Sequence, residues 1–128
     1  MEELKVGIVG EATTKVTKDN TAVKFGSGSV EVFATPAMIG LMENAAINAV
    51  DKLLPEGQAT VGTRIEATHI AATPIGMEVI AKATLVELDK RRMVFKVEAY
   101  DEKEKIGEGM HERFIIDLEK FLKKASEK

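Results

Sequence analysis

The sequence predicts an α+β fold in which one long antiparallel β-sheet wraps around a single central apolar helix, with a short helix at the C-terminus. Two observations support this fold class. A stretch near residue 40 has the start signal and the composition of a buried helix, and the chain beyond residue 57 changes to the pattern of strands. Because 128 residues suit one domain, we expect a single domain over residues 1–128.

The central helix is predicted to start at Thr35, whose hydroxyl can accept from a free backbone amide, with Pro36 at the first helical position. Up to Val50 the residues are apolar on nearly every side, which is typical of a helix buried all round. Glu43 is the only charged residue of this helix, and burying an unpaired carboxylate is costly. Glu43 is therefore a candidate functional residue.

Three segments precede this helix. Residues 7–16 are predicted as an opening strand, residues 18–20 as a turn, and residues 21–25 are interpreted as a short strand. The next segment, Gly26-Ser27-Gly28-Ser29, has the composition of a flexible loop. It either connects two elements or covers a pocket as a lid, and the connector is the simpler interpretation.

After the helix, Pro55 and Gly57 act as stop signals. Alternating or β-branched residues then predict four long strands, separated by short polar segments that suit hairpins. The predicted strands are residues 59–72, 77–88, 93–100 and 106–116. In the third strand one face is apolar, which is typical of an antiparallel sheet covered on one side, here by the central helix. That face carries Met93, Phe95, Val97 and Ala99.

The last segment is predicted as an amphipathic helix capped by Asp117. Its apolar residues, at helical spacing, are Leu118, Phe121, Leu122 and Ala125. One sheet can surround only part of a central apolar helix. We therefore expect the sheet to pair with that of a second copy in a homodimer, the commonest kind of oligomer, with a tetramer as the alternative.

Composition excludes several classes of function. With 18 basic and 21 acidic residues, well mixed, and a net charge of -3, the chain lacks the basic stripe of a nucleic-acid binder. The absence of cysteine excludes disulfides, thiolate catalysis and cysteine-ligated zinc. Residues 1–5 lack a leader pattern, and no apolar run of about 18 residues is present, so we expect a cytoplasmic protein with no membrane partner.

Two histidines are candidates for acid–base chemistry. Strand alternation places His69 on the inward face together with its apolar neighbours two and four residues away. An inward histidine is either a hydrogen-bonded core residue or a general base, for which its pKa is suitable. His111 is a weaker candidate because it stands beside Glu112 and Arg113 on a charged strand.

Four further residues have more than one interpretation. Glu43 could pair with a basic residue, contact a dimer interface or act as an active-site carboxylate. Thr35 is first of all a helix cap, but a helix start also favours negative charge. Gly62 permits a close backbone approach, and Arg113 is most simply a surface charge on a strand. No zinc, nucleotide-loop or nucleophile-elbow motif is present, so no metal site is predicted.

Six segments, in order and at matching spacing, resemble the fluoroacetyl-CoA thioesterase-like family of hot-dog-fold thioesterases. They are Val32-Phe33-Ala34-Thr35-Pro36, Gly40-Leu41-Met42-Glu43-Asn44-Ala45, Val61-Gly62-Thr63, Thr68-His69, Ala72-Thr73-Pro74-Ile75-Gly76 and Gly107-Glu108-Gly109-Met110-His111-Glu112-Arg113. The resemblance covers most of the chain. It also agrees with the fold derived from the residue patterns.

The resemblance implies an acyl-CoA thioester hydrolase that works as a dimer, with its sites near the subunit interface. It places Thr35, Glu43 and His69 where the family keeps a catalytic Thr-Glu-His group. It implies that the backbone of Gly62 helps to hold the CoA thioester and that Arg113 contacts substrate. Coenzyme A would enter as part of the acyl-CoA substrate, and no separate cofactor is implied.

One departure from the family bears on the substrate. Members selective for the fluorinated substrate carry phenylalanines in the loop before Val32, where this chain has Gly26-Ser27-Gly28-Ser29. We therefore expect a different or broader short or medium acyl group. The alternative function is a non-catalytic protein that binds acyl-CoA or another apolar ligand, and a hydratase or dehydratase on the same scaffold is a third.

Overall fold

The structure, a computed structural model, describes residues 3–128. Met1 and Glu2, which are part of the segment expected to lack a leader pattern, lie outside the described residues. The strands are β1 (Val9–Lys15), β2 (Gln58–His69), β3 (Glu78–Asp89), β4 (Arg92–Tyr100) and β5 (Lys105–Asp117). The helices are α1 (Ala22–Phe25), α2 (Thr35–Val50) and α3 (Leu118–Ser126), with short 3-10 turns at Lys18–Asn20 and Asp51–Leu53.

The five strands form one antiparallel sheet in the order β1-β3-β4-β5-β2, so β1 and β2 are its edges. The sheet curls around α2, which packs chiefly against β1 and β3. This arrangement confirms the predicted fold class, the opening strand and the four strands after the helix. β2 ends at His69, three residues before the predicted end.

The core lies between α2 and the inner face of the sheet. On β4 the predicted inner face is confirmed, since Met93, Phe95, Val97 and Ala99 have no exposed surface. Burying each large apolar side chain stabilises the fold by about 1.5–3 kcal/mol. The buried residues of α2 are Met38, Met42, Ala45, Ala46, Ala49 and Val50.

The prediction that α2 is buried on all sides is wrong for the single chain. Gly40, Asn44 and Asn48 are exposed, and the side chain of Glu43 keeps 39% of its surface exposed. The physical reason is that five strands cover only one side of a helix. The opposite side of α2 therefore remains open.

The prediction of a short strand at residues 21–25 is also wrong, because this segment is the helical turn α1. The hydroxyl of Thr21 accepts from the backbone N–H of Lys24 at 3.3 Å, and Gly26 ends the turn with a φ of 71°. Both are local capping features. They prevail over the strand propensity of the β-branched and aromatic residues in the segment.

Two predicted helix caps do not form as expected. Thr35 lies inside α2, Ala34 occupies the capping position, and the Thr35 hydroxyl bonds elsewhere. Asp117 precedes α3 but makes no capping bond, and its carboxylate lies 3.6 Å from Arg91 Nη2. The apolar residues of α3 remain exposed, at 44% for Leu118. Within residues 3–128, none of the helices combines the length and the hydrophobicity needed to cross a membrane.

Candidate active site

Thr35 and His69 meet where α2 starts and β2 ends. Thr35 Oγ1 lies 2.7 Å from His69 Nδ1, which is a short hydrogen bond. The hydroxyl is available for this contact because Ala34, which has no polar side chain, occupies the capping position. Ile65, Ala67 and His69 are partly buried, while the residues between them are exposed, so the predicted inward direction of His69 is confirmed.

The second ring nitrogen of His69 has no protein partner in the part of the chain that the structure describes. Nε2 is buried and makes no hydrogen bond within residues 3–128. Burial lowers the pKa of His69 below its ordinary value of 6.5, because the charged imidazolium is poorly solvated there. Within one chain the ring is therefore mainly neutral near pH 7, and one of its two nitrogens carries no proton.

A cavity of about 320 Å³ lies beside this pair. Its lining is Ala22, Ser27, Val32, Phe33, Thr35, His69, Ile70, Ala71 and Ala72. None of these side chains other than the imidazole can carry a charge. Ser27 brings the Gly-Ser loop to the wall of this cavity, so the loop borders a pocket as well as connecting two elements.

The backbone before α2 is held in place from two directions. The N–H of Phe33 donates to the carbonyl of Thr73 at 2.9 Å, and the N–H of Ala34 donates to the carbonyl of Asn20 at 2.9 Å. The buried Thr73 hydroxyl in turn donates to Asp101 at 2.8 Å. These bonds fix the start of α2, and with it the position of the Thr35 hydroxyl.

Arg113 is the centre of a second polar cluster, near the other end of α2. The interpretation of Arg113 as a surface charge is wrong, because only 4% of it is exposed. Its Nε donates to Thr60 Oγ1 at 2.9 Å, and its Nη2 donates to the Thr60 carbonyl at 2.8 Å. The Thr60 hydroxyl donates to Asp51 Oδ1 at 2.5 Å.

Glu43 and Gly62 complete this cluster. Glu43 Oε2 lies 4.0 Å from Arg113 Nη1, at the outer limit of an ion pair. A Cβ atom on Gly62 would lie 2.9 Å from Glu43 Oε2 and 3.3 Å from Arg113 Nη1. Glycine at this position therefore leaves room for both side chains against the strand, in agreement with the close approach predicted there.

His111 also belongs to this cluster. It is 1% exposed, although it stands beside Glu112 and Arg113 on a strand with several charged residues. Its Nδ1 lies 2.8 Å from the Arg64 carbonyl, so Nδ1 carries the proton, and Nε2 accepts from Arg113 Nη1 at 3.2 Å. Burial and, less strongly, the Arg113 charge lower the pKa of His111.

A β-bulge explains why sequence reasoning missed Thr60. The pairing of β2 with β5 shifts between Gly62 and Arg64, so Thr63 is an extra residue. Strict alternation counted back from His69 places Thr60 and Gly62 on the outer face. The extra residue reverses the alternation and turns both of them inward. No sequence pattern indicated a role for Asp51, which follows α2 directly.

Within one chain the two clusters are far apart. Thr35 and Glu43 are eight residues apart on α2, or about 12 Å along the helix axis. Gly62 and His69 are seven residues apart on β2, or about 23 Å along the strand. The structure thus brings Thr35 to His69, and Glu43 to Gly62 and Arg113, but it does not bring Glu43 to His69 in a single chain.

Comparison with known proteins identifies close relatives. The sequence pattern of the FlK family, described as fluoroacetyl-CoA-specific thioesterase, matches residues 16–119. A fluoroacetyl-CoA thioesterase of Streptantibioticus cattleyicolor is 46% identical over 98 residues, which are 77% of this chain and 70% of that protein.

Solved structures agree with this result. The structure of the fluoroacetyl-CoA thioesterase FlK superposes with a TM-score of 0.93 at 37% identity and covers 99% of this chain and 98% of that one. A hot-dog-like protein from Thermanaerovibrio acidaminovorans superposes with a TM-score of 0.87 at 26% identity, covering 97% and 92% of the two chains. The chain has the hot-dog fold and belongs to the fluoroacetyl-CoA-specific thioesterase family.

Proposed function

We propose that this protein hydrolyses the thioester of a short or medium acyl-CoA, giving the free acid and CoA. The observation that carries this proposal is the hydrogen bond between Thr35 and the neutral His69 beside an apolar cavity. Family membership supports the thioesterase activity. A variant of FlK has been solved in complex with acetyl-CoA, and it superposes on this chain with a TM-score of 0.91 at 37% identity.

In the proposed mechanism, His69 is the general base. Either it takes the proton of the Thr35 hydroxyl as that oxygen attacks the thioester carbonyl, or it takes a proton from a water molecule that Thr35 positions. The developing oxyanion would be stabilised by backbone N–H groups at the start of α2 or near Gly62. The proton held by His69 then passes to the departing CoA thiolate. In the first route the acyl group is then esterified to Thr35, and a water molecule that gives its proton to His69 cleaves this ester, which releases the free acid and restores the hydroxyl.

Glu43 would orient the imidazole or stabilise its positive charge, which requires a second subunit. β2 is a twelve-residue edge strand, and a long unpaired edge favours pairing with another strand. If β2 pairs antiparallel with its own copy near its midpoint, the Gly62 end of one strand lies beside the His69 end of the other. We therefore propose a homodimer in which Glu43 and Arg113 of one subunit complete the site of the other.

The cavity supports an uncharged acyl group. Within one chain its lining offers no permanent cation to pair with a second carboxylate, and the Arg113 guanidinium that a second subunit would bring already donates to Thr60 and His111. A second carboxylate would therefore be buried unpaired, which is costly. Ser27 of the Gly26-Ser27-Gly28-Ser29 loop lines the cavity, and the loop has no phenylalanine of the kind expected in members selective for the fluorinated substrate. We accordingly propose that the enzyme accepts several short or medium, uncharged acyl groups.

The test is release of free thiol from a panel of acyl-CoA esters. Acetyl, propionyl, butyryl and hexanoyl esters should be hydrolysed, while malonyl and succinyl esters should react more slowly by about 10-fold or more, since each 1.36 kcal/mol is a factor of ten. His69→Ala and Glu43→Ala should each reduce kcat by about 100-fold or more. Thr35→Ser keeps the hydroxyl and should retain more activity than Thr35→Val.

Three results would contradict the proposal. Equal rates for wild type and His69→Ala would remove His69 from the mechanism. Calorimetry that detects acyl-CoA binding while no thiol appears over hours would favour a non-catalytic binding protein. A change in the absorbance of an enoyl-CoA without thiol release would favour a hydratase. Circular dichroism of each variant checks that it is folded.

A further inference from the structure

Arg113 is a buried cation whose strongest contacts are not with the carboxylate nearest the proposed active site. Two of its nitrogens donate to Thr60, and a third donates to the neutral His111. Its distance to Glu43, 4.0 Å, is too long for a direct hydrogen bond. The guanidinium is therefore held from the side away from Glu43.

The hydrogen bonds on that side have a fixed direction. A hydroxyl has one proton, and the proton of Thr60 goes to Asp51 Oδ1 at 2.5 Å. An oxygen lone pair of Thr60 is then left to accept from Arg113 Nε at 2.9 Å. Asp51 Oδ2 also accepts from the backbone N–H of Thr60 at 3.2 Å, so the carboxylate binds both the backbone and the hydroxyl of this residue.

The charges support the same arrangement. Burial lowers the pKa of Arg113, and of the two carboxylates that oppose this effect Asp51 acts more strongly than Glu43. Asp51 stands at the C-terminal end of α2, where the helix dipole disfavours a negative charge. The hydrogen bonds from Thr60 and, beyond Thr60, the positive charge of Arg113 compensate for this unfavourable position of the Asp51 carboxylate.

We propose that Asp51 and Thr60 are positioning residues that hold the Arg113 guanidinium beside Gly62 without letting it close into a direct ion pair with Glu43. The Glu43 carboxylate then keeps its oxygens available for the imidazole of a second subunit. This inference rests on the proposed thioesterase function for its effect on rate. The positioning of Arg113 by Asp51 and Thr60 can be tested without measuring enzyme activity.

The experiment compares Thr60→Val, Thr60→Ser and Asp51→Asn with the wild-type enzyme. Loss of the hydroxyl removes the acceptor of Arg113 Nε and leaves the Thr60 carbonyl and His111, so the guanidinium can shift towards Glu43. Small misplacements of catalytic groups are costly. Thr60→Val should therefore reduce kcat by about 10- to 100-fold with little change in KM, and Asp51→Asn should do so less strongly. Thr60→Ser keeps the hydroxyl and should restore kcat to within about threefold of wild type.

The second readout is the NMR signal of the Arg113 Nε–H group, which should be slow to exchange because the group is buried and bonded. It should shift in Thr60→Val and stay near its wild-type position in Thr60→Ser. Thr84→Val is the matched control, since Thr84 lies between two buried residues of β3 and points away from α2. This control should change neither kcat nor the signal.

The outcomes separate the two proposals. If the wild type releases no thiol, the proposed function fails, and the NMR signal still tests the positioning of Arg113. If the wild type is active and Thr60→Val, folded by circular dichroism, keeps both its kcat and its Arg113 signal, the positioning role is wrong. A loss of kcat that Thr60→Ser fails to restore would also overturn it.

Discussion

His69 is the residue on which the proposed chemistry depends, and two opposing effects set its pKa. Burial within its own chain lowers the pKa below 6.5. A carboxylate from a second subunit would raise it, because an opposite charge favours the imidazolium. A base acts in its deprotonated form, so activity rises as the pH rises through this pKa.

We therefore predict that Glu43→Gln lowers the pKa of His69 relative to the wild type. The measurement is an NMR titration of the imidazole signals, which is simple because the chain has only two histidines. In the wild type, the acid limb of kcat/KM against pH should fall at the pKa found for His69. Equal His69 pKa values in the two proteins would show that Glu43 does not act on this ring.

At the scale of elements, α2 and β1 pack closely together. Gly10 on β1 permits it, because an added Cβ atom would overlap the backbone of Ala45 and Ala49. On the other side of the same helix, a Cβ atom on Gly40 would meet nothing within 4 Å in this chain. Replacing each glycine by alanine should therefore change the stability in opposite directions.

Gly10→Ala is predicted to lower the free energy of unfolding by about 1–3 kcal/mol or more, since the backbone of α2 has to move. Gly40→Ala, the matched control, should raise it by up to about 1 kcal/mol, because alanine is the better helix former. Urea unfolding followed by circular dichroism measures both. An unchanged stability in Gly10→Ala would contradict the close packing, and a loss in Gly40→Ala would indicate that a second subunit covers this side of α2.

At the scale of the whole molecule, the proposed site needs two subunits, because Glu43 is remote from Thr35 and His69 within one chain. Mixing subunits tests this directly. A dimer of one His69→Ala and one Glu43→Ala chain would contain one site with Thr35, His69 and Glu43 all intact. Random mixing of these two inactive variants should restore about a quarter of the wild-type activity, since half of the dimers are mixed.

The control mixes His69→Ala with Thr35→Val. These two residues meet within one chain, so every site in the mixed dimer lacks one of them, and no activity should return. Recovery in this control would show that Thr35 and His69 act across subunits. No recovery in the first mixture, with dimers demonstrated by sedimentation, would show that Glu43 does not serve the neighbouring site.

The parts of this protein that could be predicted from the sequence depend on local patterns. Strand alternation predicted the inner face of β4 and the inward direction of His69, and a long apolar stretch predicted α2. Where two local signals competed, as in residues 21–25, propensity led to the wrong element. Capping by Thr21 and Gly26 decided that segment instead.

The amino-acid sequence by itself determined the fold class, the strands and the presence of an inward histidine, because burial of apolar residues imposes a period that can be seen along the chain. Only the tertiary structure decided that the Thr35 hydroxyl bonds to His69, that Arg113 is buried on Thr60, and that Glu43 lies apart from His69. Those facts depend on contacts between residues distant in the chain and on a single extra residue, Thr63, that reverses the faces of β2. Periodicity cannot show such contacts, because it describes each element without its neighbours.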